Sequence, residues 1–199
     1  MLRFNNRLRL KFNEPSALIV VDPQKGFTKY GWHSNVKVPN ADLIVKPINF
    51  LLKFPWNRID ATQDWHPRNH CSFPKYGVHC LKNSYESGWM YHLQHKQFMT
   101  VWRKGYLENK EALSVVEQHP GIIALYKAEL IRNVVVCGLA QNICVSATAR
   151  DFNDNGFNTF IIEEASAGID LADNKISDTK HKDIKKGIVY LPLVNDIIQ

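Results

Sequence analysis

The chain contains no run of about eighteen apolar residues, so no segment is expected to cross a membrane as a helix. Its first residues lack the apolar core of a secretory leader. Cysteine is sparse: Cys71, Cys80, Cys137 and Cys144 are the only four, and no Cys-x-x-Cys pair occurs. That excludes the dense disulfide framework of a small secreted domain; free thiols in a reducing, cytoplasmic setting are the expectation. No internal repeat or linker divides the sequence. Acidic residues are absent before Glu14, whereas Arg3, Arg7, Arg9 and Lys11 precede it. An organelle transit peptide is one reading of that asymmetry. The alternation of Leu8, Leu10 and Phe12 with Arg7, Arg9 and Lys11 favours the other, a strand with a basic face.

What is present suits one domain spanning residues 1–199, with 45% apolar residues to build a core and 22% charged residues. The formal net charge of +6 is moderate. Its densest cluster is Lys180, Lys182, Lys185 and Lys186 around His181. No aromatic residues or groove-reading motif accompany it, so a solvated helix face is favoured and no nucleic-acid partner is expected.

Strand and helix patterns alternate. Residues 16–22 form a short apolar run that delivers Asp22 before Pro23. Asn40 is a candidate cap for a helix carrying Leu43, Ile44, Ile48, Leu51 and Leu52, which Pro47 should kink or split. A second strand covers 58–63 and runs into Asp64. Residues 64–103 are rich in His, Pro, Gly and aromatics and read as loops over a site. Further strands are expected near 98–102, at Asn133–Gly138, Thr159–Glu163 and Ile188–Leu191. Helices are expected over 122–131, 142–155 and 177–186. This order predicts an α/β fold, a three-layer αβα sandwich with a mostly parallel central sheet. Ligands bind such sheets outside the carboxyl ends of the strands. Asp22, Asp64, Lys104 and the Gly138–Cys144 turn all fall there.

Cys144 follows a strand end by a short turn, in the first turn of the next helix. That position stabilises a thiolate, the attacking form, and offers free N–H groups to a developing oxyanion. The plainer reading of Cys144 is a small buried apolar residue. Asp22 and Lys104 strengthen the first reading: a carboxylate takes and returns the thiol proton, and an ammonium favours the ionised forms. Asp64-Trp65-His66 with His70 and His79 makes a candidate metal group; imidazole and carboxylate suit zinc first, iron or manganese next.

At these residues the sequence resembles the nicotinamidase/pyrazinamidase branch of the isochorismatase-like cysteine hydrolases. The resemblance is carried by Ala17-Leu-Ile-Val-Val-Asp22-Pro-Gln-Lys-Gly-Phe27, by Gln63-Asp-Trp-His-Pro-Arg-Asn-His70-Cys-Ser-Phe73, by His79-Cys80, by Lys104-Gly105 and by Gly138-Leu-Ala-Gln-Asn-Ile-Cys144-Val. It implies Cys144 as nucleophile, Asp22 as general acid/base and Lys104 as charge support. It also implies Asp64, His66 and His79 as ligands of one divalent metal that binds a pyridine nitrogen, with His70 an extra ligand in some members. Phe27 and Tyr76 would contact the substrate ring, and the amides of Ala140 and Cys144 would form an oxyanion hole. The implied substrates are nicotinamide and pyrazinamide, and the implied assembly is a homo-oligomer. Gln141 and Asn142 depart from the family's Thr-Asp, and Glu111-Ala-Leu-Ser114 is a poor match to its motif after Lys-Gly. The competing functions are a related hydrolase of another amide or a vinyl ether, and a binding domain without turnover.

Overall fold

A computed structural model describes residues 10–11, 14–32, 35–194 and 197–198. The strands are β1 (Leu10–Lys11), β2 (Ser16–Val21), β3 (Arg58–Asp64), β4 (Thr100–Lys104), β5 (Asn133–Leu139), β6 (Asn158–Ala167), β7 (Val189–Leu191) and β8 (Ile197–Ile198). The helices are α1 (Val45–Leu51), α2 (Phe73–Tyr76), α3 (Gly121–Ala128), α4 (Ser146–Asp154) and α5 (Ile176–Lys185). Six strands make one sheet in the order β4-β3-β2-β5-β6-β7, and every neighbouring pair in it is parallel. β1 pairs with β8 in a separate two-stranded ribbon. Of the alternating basic-faced segment, only residues 10–11 are described; the rest lies outside the described residues.

Alternation along β2 shows how the sandwich is built. Leu18 and Val20 enter one core with Ile48 and Leu51 of α1. Ala17, Ile19 and Val21 enter the other with Ile122 and Tyr126 of α3 and Ala149 and Phe152 of α4. β2 is therefore covered on both faces, which is why its sequence is continuously apolar rather than alternating. Each such fully buried aliphatic side chain contributes roughly 1.5–3 kcal/mol. Among the described residues, no helix is long and apolar enough to cross a membrane.

The helix around Pro47 is split, as expected, a 3-10 turn at Ala41–Ile44 leading into α1; other boundaries differ from expectation. Pro47 falls in the first turn of α1, where a missing N–H costs little. Asn40 takes a left-handed conformation (φ 58°) and its side chain makes no cap. β4 spans Thr100–Lys104, so Lys104 is inside the strand rather than after it. α3 stops at Ala128 because Leu130 is left-handed (φ 59°). The helix expected from residue 142 opens as a π-helical turn, Gln141–Val145, before α4 begins. β6 has ten residues, with a register shift against β5 between Val136 and Gly138. The expected loop region also contains α2.

Candidate active site

Four adjacent elements deliver their chemistry at one edge of the sheet. Asp22 follows β2, Asp64 ends β3, Lys104 ends β4, and Cys144 stands in the π turn after β5. β3 pairs with both β2 and β4, and Asp64 is the direct partner of Lys104. Lys104 is fully buried. Its Nζ is 2.8 Å from Asp22 Oδ2, donates to Asp64 Oδ1, and lies 3.2 Å from the Ala112 carbonyl and 3.5 Å from Cys144 Sγ. One carboxylate oxygen from each of Asp22 and Asp64 and the Cys144 sulfur lie within 4.8 Å of one another. Asp22 takes a positive φ of 46° as the chain leaves β2, and Thr62 holds it there. The Asp22 N–H donates to Thr62 Oγ1 (3.1 Å), whose hydroxyl donates to Asp22 Oδ1 (2.6 Å). Gln24 braces the next position: the Asp64 N–H donates to its Oε1 (2.8 Å), and its Nε2 donates to the Asp64 carbonyl (2.9 Å).

Burial and charge divide the roles of these groups. Burial, helped by the nearby Asp64 charge, pushes Asp22 up to about 6 despite Lys104. For Asp64 burial works in the same upward direction, but Lys104 and the imidazoles win and hold its carboxyl well below the ordinary range. Burial tends to neutralise Lys104, yet the two carboxylates keep its pKa well above the usual value. Burial pushes the Cys144 thiol well up against the pull of Lys104. Desolvation thus opposes the thiolate that the turn position and Lys104 favour, an environment in which a base serves the thiol at the moment of attack.

His66 and His79 meet beside Asp64. The Nδ1 of His66 is 2.9 Å from the Gly105 carbonyl, and that of His79 is 2.7 Å from the Gly77 carbonyl. A carbonyl accepts, so each Nδ1 carries the proton and each Nε2 presents a lone pair. The two Nε2 atoms face each other at 3.2 Å, and lie 3.4 and 3.9 Å from Asp64 Oδ2. Two lone pairs and a carboxylate oxygen converging in a buried space form the donor set of a divalent cation, and the backbone carbonyls fix both rings, as outer partners do at metal sites. Gly105 has to be glycine: its φ is 65°, and a Cβ there would stand 2.3 Å from His66 Cε1. His70 stacks on His66 with ring centroids 4.0 Å apart. Its own nitrogens are engaged by the Ser72 hydroxyl (2.7 Å) and the Lys110 carbonyl (3.3 Å), and it is not one of the three residues whose donor atoms converge.

Phe27, Tyr76 and Ala140 line one cavity with Asp64, His79 and Cys144. The Phe27 and Tyr76 rings lie 5.7 and 6.5 Å from that of His79. Val36, Glu111, Leu113 and Ile143 line the same cavity and were not singled out from sequence. The one clue was the Glu111-Ala-Leu-Ser114 stretch after Lys104-Gly105. Poor as a motif match, it still supplies a cavity wall and the Ala112 carbonyl that receives Lys104. Among the cysteines, Cys71 is exposed and Cys80, Cys137 and Cys144 are buried, all four free.

The chain is similar to known proteins in sequence and in fold. The family model for the isochorismatase domain matches residues 16–184. A nicotinamidase of Acinetobacter baylyi is 32% identical over 189 residues, covering 82% of this chain and 86% of that protein. The solved structure of a Leishmania infantum protein in complex with nicotinate superposes with a TM-score of 0.86 at 27% identity, covering 95% of this chain and 98% of that one. A pyrazinamidase of Pyrococcus horikoshii in complex with zinc gives a TM-score of 0.78 at 30% identity, covering 89% and 99%.

Proposed function

The chain belongs to the isochorismatase family, and from that premise we propose that it is a nicotinamidase, hydrolysing nicotinamide to nicotinate and ammonia through a cysteine thioester, a step of NAD salvage. The observation that carries this reading is a single cavity lined by the Cys144 thiol and by Asp64 and His79, two of the three convergent donors Asp64, His66 and His79. The likeness to nicotinamidases over most of the chain supports it.

In this reading Phe27 and Tyr76 hold the pyridine ring and present the carboxamide carbon to Cys144. The sulfur attacks that carbon as the thiol proton passes to Asp22, whose pKa near 6 suits both accepting and returning a proton at neutral pH. The amides of Ala140 and Cys144 receive the charge that develops on the carboxamide oxygen. Collapse expels the amide nitrogen, which leaves as ammonia with the proton from Asp22. Water, deprotonated by Asp22, then attacks the thioester; nicotinate departs and the proton returns to the Cys144 sulfur. Lys104 stays charged throughout and holds the two carboxylates and the sulfur together. A divalent cation held by Asp64, His66 and His79, zinc in this reading with iron or manganese as alternatives, supplies a Lewis-acidic partner for the lone pair of the ring nitrogen. The four free cysteines fit a reducing, cytoplasmic location.

The test is a side-by-side ammonia assay on protein purified without chelator, with its metal content measured. Nicotinamide and pyrazinamide should be hydrolysed, and about one divalent metal per chain should be present. Benzamide, which has no ring nitrogen, should be at least about a hundredfold poorer in kcat/KM, about 2.7 kcal/mol. Ring-alkylated nicotinamide should fail likewise. Equal rates on nicotinamide and benzamide would move the assignment to a hydrolase of another amide.

A further inference from the structure

Two residues before the nucleophile, Asn142 is buried in the π turn, at a position where the sequence departs from the family's usual Asp. Its side-chain amide is fully used. Nδ2 donates to the carbonyls of Ile169 (2.9 Å) and Asn174 (3.0 Å), and Oδ1 accepts from the Ile169 N–H (3.1 Å). The bond to the Ile169 N–H fixes which end of the amide is oxygen. In return, Asn174 Nδ2 donates to the main-chain carbonyl of Asn142 (2.9 Å), and Asn174 Oδ1 accepts from Thr179 Oγ1 (2.7 Å). The turn that carries Cys144 is thus tied at two main-chain levels to the segment between β6 and α5. The approach is close: a Cβ on Gly168 would stand 2.8 Å from Asn142 Oδ1.

An aspartate cannot make this clamp. It accepts only, so two carbonyls would lose their donor and face a carboxylate instead. We infer that Asn142 is a positioning residue, clamping the nucleophile turn to the Gly168–Lys175 segment so that the Cys144 sulfur stays within reach of Lys104 and Asp22. Cys144 Sγ has a margin to lose, since it stands 3.5 Å from Lys104 Nζ, the group that draws the buried thiol toward ionisation. A small shift of the turn separates them. The ring-binding residues Phe27 and Tyr76 lie elsewhere, on the Lys25–Phe27 turn and on α2, and the metal donors stand at or after the ends of β3 and α2, so the clamp acts on chemistry more than on substrate capture. This inference rests on the reading of Cys144 as nucleophile.

The experiment uses two readouts on the folded, metal-loaded protein: steady-state kinetics with nicotinamide, and the rate of Cys144 alkylation by iodoacetamide, followed by mass spectrometry. The variants are Asn142→Asp, Asn142→Ala and Asn174→Ala. The first two should lower kcat at least thirtyfold while KM stays within threefold, and should slow Cys144 alkylation at least tenfold. Asn174→Ala removes the bond to the turn's main chain together with the Thr179 contact, leaves the Asn142 side-chain bonds in place, and should give the same pattern at smaller amplitude, which keeps the test available if Asn142→Asp does not fold. Alkylation and kcat within threefold of wild type in the folded variants would overturn the inference, as would a loss expressed in KM alone. Because alkylation needs no substrate, a wild-type protein inactive on nicotinamide would overturn the nicotinamidase reading and leave the clamp to be judged on alkylation.

Discussion

Asp60 and Asp64 lie four residues apart on the same strand, both are buried, and both sit against a cation. Asp60 Oδ2 accepts from Arg58 Nε (2.8 Å), Trp102 Nε1 (2.9 Å) and Tyr126 OH (3.2 Å). Arg58 reaches onward to Glu129 (2.6 Å) and Thr100 (2.7 Å). None of these donors gives up its proton easily, and no nucleophile is among them. Asp64 ends the strand instead, and its neighbours are a lysine, two imidazoles with free lone pairs and, across Lys104, a thiol. Buried charge alone therefore does not mark a reactive site. Position along a parallel strand does: mid-strand, a carboxylate is closed in by both neighbouring layers, whereas at the carboxyl end the loops open into a cavity.

That contrast predicts activity without stability at the strand ends and stability without activity at Asp60. Its largest expected expression is Cys144→Ala, which should reduce turnover at least about ten-thousandfold, about 5 kcal/mol in the barrier, with an unchanged melting temperature. Comparable activity would end the mechanism. Next comes Asp22→Asn, expected to lower kcat about a thousandfold, within the range for loss of a general acid/base. A carboxyl whose pKa is raised on folding is less stable ionised in the native state than in the unfolded one, so above pH 6 its charge works against folding. Asp22→Asn should accordingly melt no lower than wild type at pH 7; a large drop would make Asp22 a structural residue like Asp60. Asp60→Ala should behave in the opposite way, losing about 3 kcal/mol of stability because buried Arg58 loses a partner while keeping Glu129. Denaturant unfolding measures that loss, and kcat per folded molecule should stay within about threefold, under 1 kcal/mol. The smallest effects belong to Cys71→Ala and Cys137→Ala, each expected within about tenfold of wild-type kcat/KM, 1.4 kcal/mol or less. A larger loss at either would blur the distinction between Cys144 and the other thiols.

Buried strands were the clearest elements in the sequence. Residues 16–22 and 133–138 are short apolar runs, residues 58–63 run into Asp64, and the structure places the three side by side in the middle of the sheet. Elements whose limits depend on neighbours were less clear. β6 runs on to Ala167 because β5 is there to pair with it, and α2 is a single turn too short to show a helical period. In the site, Asp64, His66 and His79 could be grouped from their spacing, but Glu111 and Leu113 could not. They reach the cavity through an irregular path after β4, and irregular backbone leaves no period to read.

Residue identity and order by themselves determined the layered parallel fold, the strand-end placement of Asp22, Asp64 and Lys104, and the candidate nucleophile. Local patterning governs these, because a strand covered on both faces, such as β2, is mostly apolar, and the residue at its carboxyl end is delivered to the rim where ligands bind. Only the tertiary structure decided the ionisation and the partners. It set the Cys144 thiol high and Asp22 near 6, because desolvation depends on everything packed around a group. It turned the lone pairs of His66 and His79 toward Asp64 through carbonyls 39 and 2 residues away in sequence. It also gave Asn142 its partners at positions 169 and 174, contacts that no spacing rule reaches, since they form only once β5 and β6 lie side by side.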